Sequence, residues 1–225
     1  MKLAKSHLDV GVITSSEAPM LAFWQEVVGV SLEELLPTGR GNRQHRHAMN
    51  GSVFKLNQSR VPVPDVRDTG YAMLSIARDG ISEPRALQDP EGNAVTLVPP
   101  GHDGIEGIGV HLHVSDEALF EDFFGRSLGL EPVGARRYRC GDSLLSFERA
   151  PRGERSHALA GRGYRYLTVQ VFDCEAEHRG VLERGGTEGQ APVVLGDVAM
   201  ISFVRDPDGN WIEISQRASL TGSLR

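Results

Sequence analysis

The sequence predicts an α+β protein built from tandem βαβββ units, the second of them truncated. Three observations carry that reading. The stretch Gln88-Asp89-Pro90-Glu91-Gly92-Asn93, followed by Ala94-Val95-Thr96-Leu97, returns as Arg205-Asp206-Pro207-Asp208-Gly209-Asn210, followed by Trp211-Ile212-Glu213-Ile214. Each copy is a turn in which Pro presets φ and Gly-Asn accepts positive φ, and each launches an alternating strand. A second pair of matching segments, residues 22–30 and 121–130, keeps an aromatic pair and a Gly in register. Both follow a stretch of period-two alternation, and a pattern present twice signals duplication.

The first unit opens with a strand over residues 7–14, where Leu8, Val10 and Val12 share one face and His7, Asp9 and Gly11 the other. A helix follows over 16–28, because Met20, Leu21, Trp24 and Val27 or Val28 recur at helical spacing; Ser15, Ser16 and Glu17 supply capping chemistry. Three short strands come after Gly29, at 31–36, 43–49 and 52–57, divided by Gly-rich or Asn-Gly turns. The run Val61-Pro62-Val63-Pro64-Asp65 reads as a connector. Residues 71–78 form the next strand, and no helical pattern precedes the first Asp-Pro-Glu-Gly-Asn turn, so the second unit is reduced to a few strands. The third has a strand at 109–115, with Val110, Leu112 and Val114 inward and His111 and His113 opposite. A helix from about Asp116 to Gly125 and strands near 131–133, 135–140 and 143–147 complete it. The fourth has a strand at 166–172, a helix capped by Asp173 and ended by Gly185-Gly186, and strands at 198–204 and 210–215.

With 225 residues, 40% of them hydrophobic, the chain is long enough for one or two domains. Pro99-Pro100-Gly101-His102-Asp103-Gly104 marks the division, giving an N-terminal module pair at 1–103 and a C-terminal pair at 104–225. A net charge of −6 without a basic stripe argues against nucleic acid. No apolar run reaches the roughly 20 residues a bilayer span needs. Cys140 and Cys174 match no metal-binding spacing and fit buried thiols in a reducing compartment, so the expected location is cytoplasmic.

These residues resemble the vicinal oxygen chelate superfamily, which includes glyoxalase I, extradiol dioxygenases, methylmalonyl-CoA epimerase and bleomycin-resistance proteins. The resemblance rests on the strand-Asp-helix pattern with its aromatic pair and closing Gly at Val114 to Gly129, on Ala22 to Gly29, and above all on Asp206-Pro207-Asp208-Gly209-Asn210-Trp211-Ile212-Glu213. It implies that paired units curl into two cup-shaped sheets. It also implies a divalent metal (Fe, Zn, Mn, Ni or Co) inside a cup, held by first- and last-strand side chains. The implied activity is that of a metal-dependent lyase or isomerase, or of an extradiol-type dioxygenase, acting on a small molecule with vicinal oxygens. A metal-free binding protein of the bleomycin-resistance kind is the alternative, and a homodimer is compatible with either.

Position by position, Glu213 occupies the family's acidic place in the final strand and is the expected ligand and base. The corresponding residues of the other units are Lys55, Thr96 and Ser146, all poor or non-ligands. Gly109 and Tyr166 stand where the family has a first-strand histidine, so the chain departs from the glyoxalase and extradiol patterns. Same-face neighbours supply replacements: His111 or His113, and Gln170, with Glu213. Should the first and fourth units pair, His7 or Asp9 becomes the partner of Glu213. His47, Tyr166, Gln170 and Trp211 are candidate substrate contacts, with solvation the competing reading for His47 and packing for the aromatics. His102, His157 and His178 read as solvated.

Overall fold

In the computed structural model of the chain, residues 1–66, 69–151 and 158–224 are described. The first unit comprises β1 (Asp9–Thr14), α1 (Glu17–Ala22) widening into a π-helical turn (Phe23–Val28), β2 (Ser31–Gly39), β3 (Asn42–Met49) and β4 (Ser52–Gln58). The second has β5 (Tyr71–Ala77), β6 (Arg85–Gln88) and β7 (Ala94–Val98), with no helix among its described residues. The third has β8 (Ile108–Val114), α2 (Glu117–Asp122) with its own π-helical turn (Phe123–Ser127), β9 (Glu131–Gly134), β10 (Arg137–Cys140) and β11 (Ser143–Arg149). The fourth has β12 (Tyr164–Gln170), α3 (Cys174–Glu183), β13 (Thr187–Leu195), β14 (Ala199–Arg205) and β15 (Trp211–Arg217), followed by the short α4 (Ala218–Thr221).

Strand β13 has no counterpart in the sequence reading. It lies at a sheet edge with Val193, Val194 and Leu195 exposed, and a strand that buries neither face shows no period-two signature. The expected cap of the first helix also differs. The Ser16 side chain makes no capping hydrogen bond, and Thr14 Oγ1 accepts the Ser16 N–H instead. Asp116 and Asp173 cap as their sequence contexts indicate, accepting from the Leu119 and Ala176 N–H groups.

Sheet order does not follow chain order. The first and fourth units form one eight-stranded sheet, β13-β14-β15-β12-β1-β4-β3-β2, and the second and third form the other, β6-β7-β5-β8-β11-β10-β9. Within every unit the first and last strands run parallel side by side, and the two units of a sheet join antiparallel through their first strands, β1 to β12 and β5 to β8. The centre of each sheet is therefore a floor of four first or last strands.

Alternation along those strands sends one set of side chains to the helix-covered core. Leu8, Val10, Val12, Leu74, Ile76, Val110, Leu112, Ile212 and Ile214 belong to it, with Met20, Trp24 and Phe124 arriving from the helical segments. Trp24 stacks on Phe54 with ring centroids 3.7 Å apart. The opposite set lines two concave faces. Curvature of the first sheet is visible in a single contact: Arg217 of β15 reaches Glu34 of β2 at 3.4 Å, although five strand spacings of ~4.8 Å would hold them ~24 Å apart on a flat sheet.

The repeated turn is a folding device. Asp89 Oδ1 accepts the N–H groups of Glu91 and Asn93, and its Oδ2 accepts from Asn93 Nδ2; Asp206 repeats the pattern with Asp208 and Asn210. Gly92 and Gly209 both sit at φ +84°, the region glycine favours. The acid between Pro and Gly ties the two sheets together. Glu91 accepts from Thr14 Oγ1 at 2.6 Å, and Asp208 accepts the Ser115 N–H and hydroxyl at 2.9 and 2.5 Å. Tyr164 and Tyr71 complete a pseudo-twofold arrangement, their hydroxyls donating to the equivalent carbonyls of Ala94 and Trp211.

Candidate functional site in the two cups

In the first cup Lys55, Asp9, Thr168 and Glu213 meet on the floor of β4, β1, β12 and β15. Lys55 Nζ donates to Thr168 Oγ1 and to Glu213 Oε2, both at 2.7 Å, and Thr168 Oγ1 donates to the same oxygen at 2.6 Å. Asp9 accepts from Lys5 Nζ and the Val53 N–H on one oxygen and from Gln170 Nε2 on the other. Burial pushes the Asp9 carboxyl up, but the Lys55 and Lys5 charges and the hydrogen bonds outweigh it and hold the group below its ordinary value. Across from β1 the Tyr166 ring lies over Gly11, where any Cβ would stand 2.3 Å from the ring. Tyr166 receives a hydrogen bond from Asn57 and packs with Phe203 and Trp211, and the Arg205 guanidinium stacks 4.3 Å from the Trp211 ring centroid. Burial, with Glu213 adding to it, pushes the Tyr166 phenol up, so it stays protonated.

This cup does not suit a divalent cation at the family's position. An ammonium 2.7 Å from Glu213 already neutralises the carboxylate, and a second cation on that oxygen would be repelled in a poorly solvated setting.

The register places Ser146, Ser75 and Thr96 of the second cup where the first has Lys55, Thr168 and Glu213. Hydroxyls replace an ion-pair network. His111 takes the place of Gly11, and Gly109 that of Asp9. The Ile105 side chain occupies the space a Cβ on Gly109 would need. A cavity of about 450 Å³ opens over this floor, with Val98, Ile105 and Leu144 as apolar wall and His111, Ser75, Thr96, Ser146 and Arg137 as polar lining. Arg137 and Arg139 donate to the Asp103 and Gly104 carbonyls and so fasten the segment carrying Ile105.

His111, which lines this cavity, meets His113 and Glu148, one ligand atom of each lying within 4.8 Å of the others. His111 Nε2 is 3.7 Å and His113 Nε2 3.6 Å from Glu148 Oε1. Metal–ligand bonds of ~2.1 Å at tetrahedral or octahedral angles separate ligand atoms by ~3.0–3.4 Å, so the two histidine–glutamate separations exceed the coordinated range by only a few tenths of an ångström. His111 Nδ1 contacts Ser146 Oγ at 2.9 Å, which orients the ring and leaves Nε2 for coordination. Burial holds the His111 pKa below its ordinary value despite the opposing Glu148 charge, keeping the ring neutral, as a ligand must be. The donor set fits a divalent ion.

The sequence-predicted residues thus fall into separate groups. Glu213, Tyr166, Gln170 and Trp211 share the first cup, while His111 and His113 lie in the second, so Glu213 is not brought to either histidine. His7 precedes β1 and packs over Gly51, 3.7 Å from Asp142, away from the acid. His47 is buried on the helix-facing side of β3, within hydrogen-bond distance of Gln25, and contacts no cup. Burial also lowers its pKa. Of the histidines read as solvated, His178 is buried against Glu188, His102 lines the second cavity, and His157 lies outside the described residues. Both cysteines are free and buried, their thiols pushed up to about 12 (Cys140) and about 11 (Cys174) by burial, which makes them unreactive. Sequence reasoning missed Glu148. Its signal was present, because Ser146 was already placed at a last-strand position and Glu148 lies two residues on, on the same face.

Residues 108–214 match the family model of the Glyoxalase/Bleomycin resistance protein/Dioxygenase superfamily. Over nearly the whole chain the fold is that of glyoxalase I from Zea mays, which superposes with a TM-score of 0.73 at 16% identity, covering 93% of this chain and 92% of that one. A candidate dioxygenase from Bacillus subtilis superposes with a TM-score of 0.71 at 14% identity, covering 96% and 86%. Comparison with curated protein sequences gives no significant match. No described helix is long and apolar enough to cross a membrane. The family model thus matches residues 108–214, just under half of the chain, and all four units share the fold of these solved structures.

Proposed function

We propose that the protein binds a small oxygenated molecule in its second cup and acts on it with a divalent metal held by His111, His113 and Glu148. The observation that carries this reading is the convergence of two imidazoles and one carboxylate, one of the imidazoles, His111, lining a partly apolar cavity. A two-histidine, one-carboxylate set with open positions suits iron, manganese, zinc, nickel or cobalt. When bound, such an ion supplies Lewis-acid polarisation of substrate oxygens. The chain's own groups do the rest. Ser146 fixes the His111 ring, Ser75, Thr96 and Ser146 offer hydroxyls to a polar substrate edge, and Val98, Ile105 and Leu144 exclude water from its apolar part. Arg137 at the rim favours a substrate that carries or develops negative charge.

A metal-free binding protein is the second reading. It is favoured by the first cup, where Lys55 neutralises the one family-position acid, and by the 45% and 58% side-chain exposure of His113 and Glu148. Elemental analysis of protein purified without chelator or histidine tag separates the two. Stoichiometric metal that disappears in His111→Ala and Glu148→Ala but persists in Glu213→Gln supports the metalloenzyme. Metal-free protein that also takes up none of the five ions on titration refutes it. Oxygen uptake with a catechol and ferrous ion then distinguishes dioxygenase from isomerase chemistry.

A further inference from the structure

The first cup holds a cavity of about 350 Å³ that neither the Lys55 network nor the metal reading uses. Its walls include Arg46 and Arg217, and both guanidiniums converge on one oxygen, Glu34 Oε2, at 3.1 and 3.4 Å. Two cations thus share one anion. Both are largely withdrawn from solvent, and burial, with the neighbouring Arg46 charge adding to it, lowers the Arg217 pKa against the opposing pull of Glu34, Asp9 and Glu213. The third cation, Lys5, is already paired with Asp9, and Glu33 at the rim is exposed.

Two further lining residues each carry an unpaired polar atom. Gln170 is 1% exposed and Ser52 2%, and neither Gln170 Oε1 nor Ser52 Oγ has a hydrogen-bond partner among the described residues. Buried polar atoms left this way cost stability and mark places where a partner is expected. Gln170 cannot turn its amide away, because Nε2 donates to the ionised Asp9.

We propose that this cavity is a second ligand site, independent of the metal site, for a small organic carboxylate carrying a hydroxyl or amino donor. Its carboxylate takes the paired guanidiniums of Arg46 and Arg217, where Glu34 acts as an internal stand-in. Its hydroxyl or ammonium donates to Gln170 Oε1, and Ser52 Oγ donates to a remaining oxygen. Glu34 is displaceable because it projects from the edge strand β2 and is 43% exposed. The volume accommodates roughly a dozen water-sized groups, which suits a metabolite of that size and excludes a polymer.

The test is calorimetric titration of the full chain, freed of metal on a chelating resin, with L-malate, L-lactate, L-serine, acetate and inorganic phosphate. At least one of malate, lactate and serine binds, and binding of malate or lactate, which carry no ammonium, identifies a hydroxyl as a sufficient donor. Acetate, which lacks a donor, binds at least about tenfold more weakly than the best of them. Glu34→Gln removes the stand-in and tightens binding about tenfold, whereas Arg217→Gln weakens it at least tenfold. His111→Ala leaves it unchanged, so failure of the metal reading would leave this one standing. Absence of heat with all the carboxylates up to about 10 mM, in both wild type and Glu34→Gln, overturns the proposal, as does an affinity that Glu34→Gln fails to raise. Phosphate binding as well as the best carboxylate, or loss of binding in His111→Ala, also overturns it. Should Arg217→Gln not fold, the Glu34→Gln comparison decides alone.

Discussion

Lys55 and Glu213 show how one residue changes the chemistry available to a buried acid. Both side chains are almost fully buried and meet in an ion pair of 2.7 Å. Breaking such a pair leaves a lone charge, which costs ~3–5 kcal/mol. Lys55→Met is therefore expected to lower the denaturation midpoint substantially, and the double variant Lys55→Met, Glu213→Gln to recover much of it. Urea denaturation of the four members of that cycle checks the coupling, and strict additivity would show the pair to be inert. His47 provides a pH test at the same scale. Its folded pKa is depressed by burial, so in acid the unfolded chain binds the proton more readily. The stability this group contributes is fully present above pH ~6.5 and falls as pH drops below that value towards the folded pKa, by up to ~1.4 kcal/mol per pH unit. Melting curves from pH 7.5 to 5 follow this loss, and it should be shallower in His47→Phe.

At the scale of elements, the strand alternation and the two Asp caps were readable because each depends on neighbours a few residues apart. The repeated Asp-Pro-acid-Gly-Asn turn was equally plain, and its acid has a role that no local pattern reveals, since Glu91 and Asp208 reach across to Thr14 and Ser115 in the opposite sheet. Asp208→Ala would strand a half-buried backbone N–H and a hydroxyl, and a loss of about 1 kcal/mol is expected in thermal or urea unfolding. Which way β3 faces was not legible. His45, Arg46 and His47 alternate polar with polar, so only tertiary packing decides that the histidines meet α1 and that Arg46 enters the cup. Ligand grouping was hidden for a similar reason. His111 and Glu213 looked like partners while the pairing of units was open, and long-range register places them in different sheets.

For the whole molecule, the division at residues 99–104 separates units along the chain, yet each sheet takes one unit from either side of it. A fragment of residues 104–225 would keep β12 without β1 and β8 without β5, leaving each of these inner strands with one bare edge. Such a fragment, made alone, should fail to give a monomer with cooperative unfolding, which size-exclusion chromatography and circular dichroism would reveal. Mixing it with residues 1–103 should restore native-like dichroism.

The pairing of Asp9 with Thr168 in the first sheet also governs the order of assembly. On a ribosome β1 emerges long before its partner exists, whereas β5 and β8 are neighbours in time as well as in space. The second sheet is thus free to form early, while the first must wait until nearly the whole polypeptide has been made. Loop closure over that separation makes the last step slow, and the waiting β1 edge is where nascent chains would need chaperone protection.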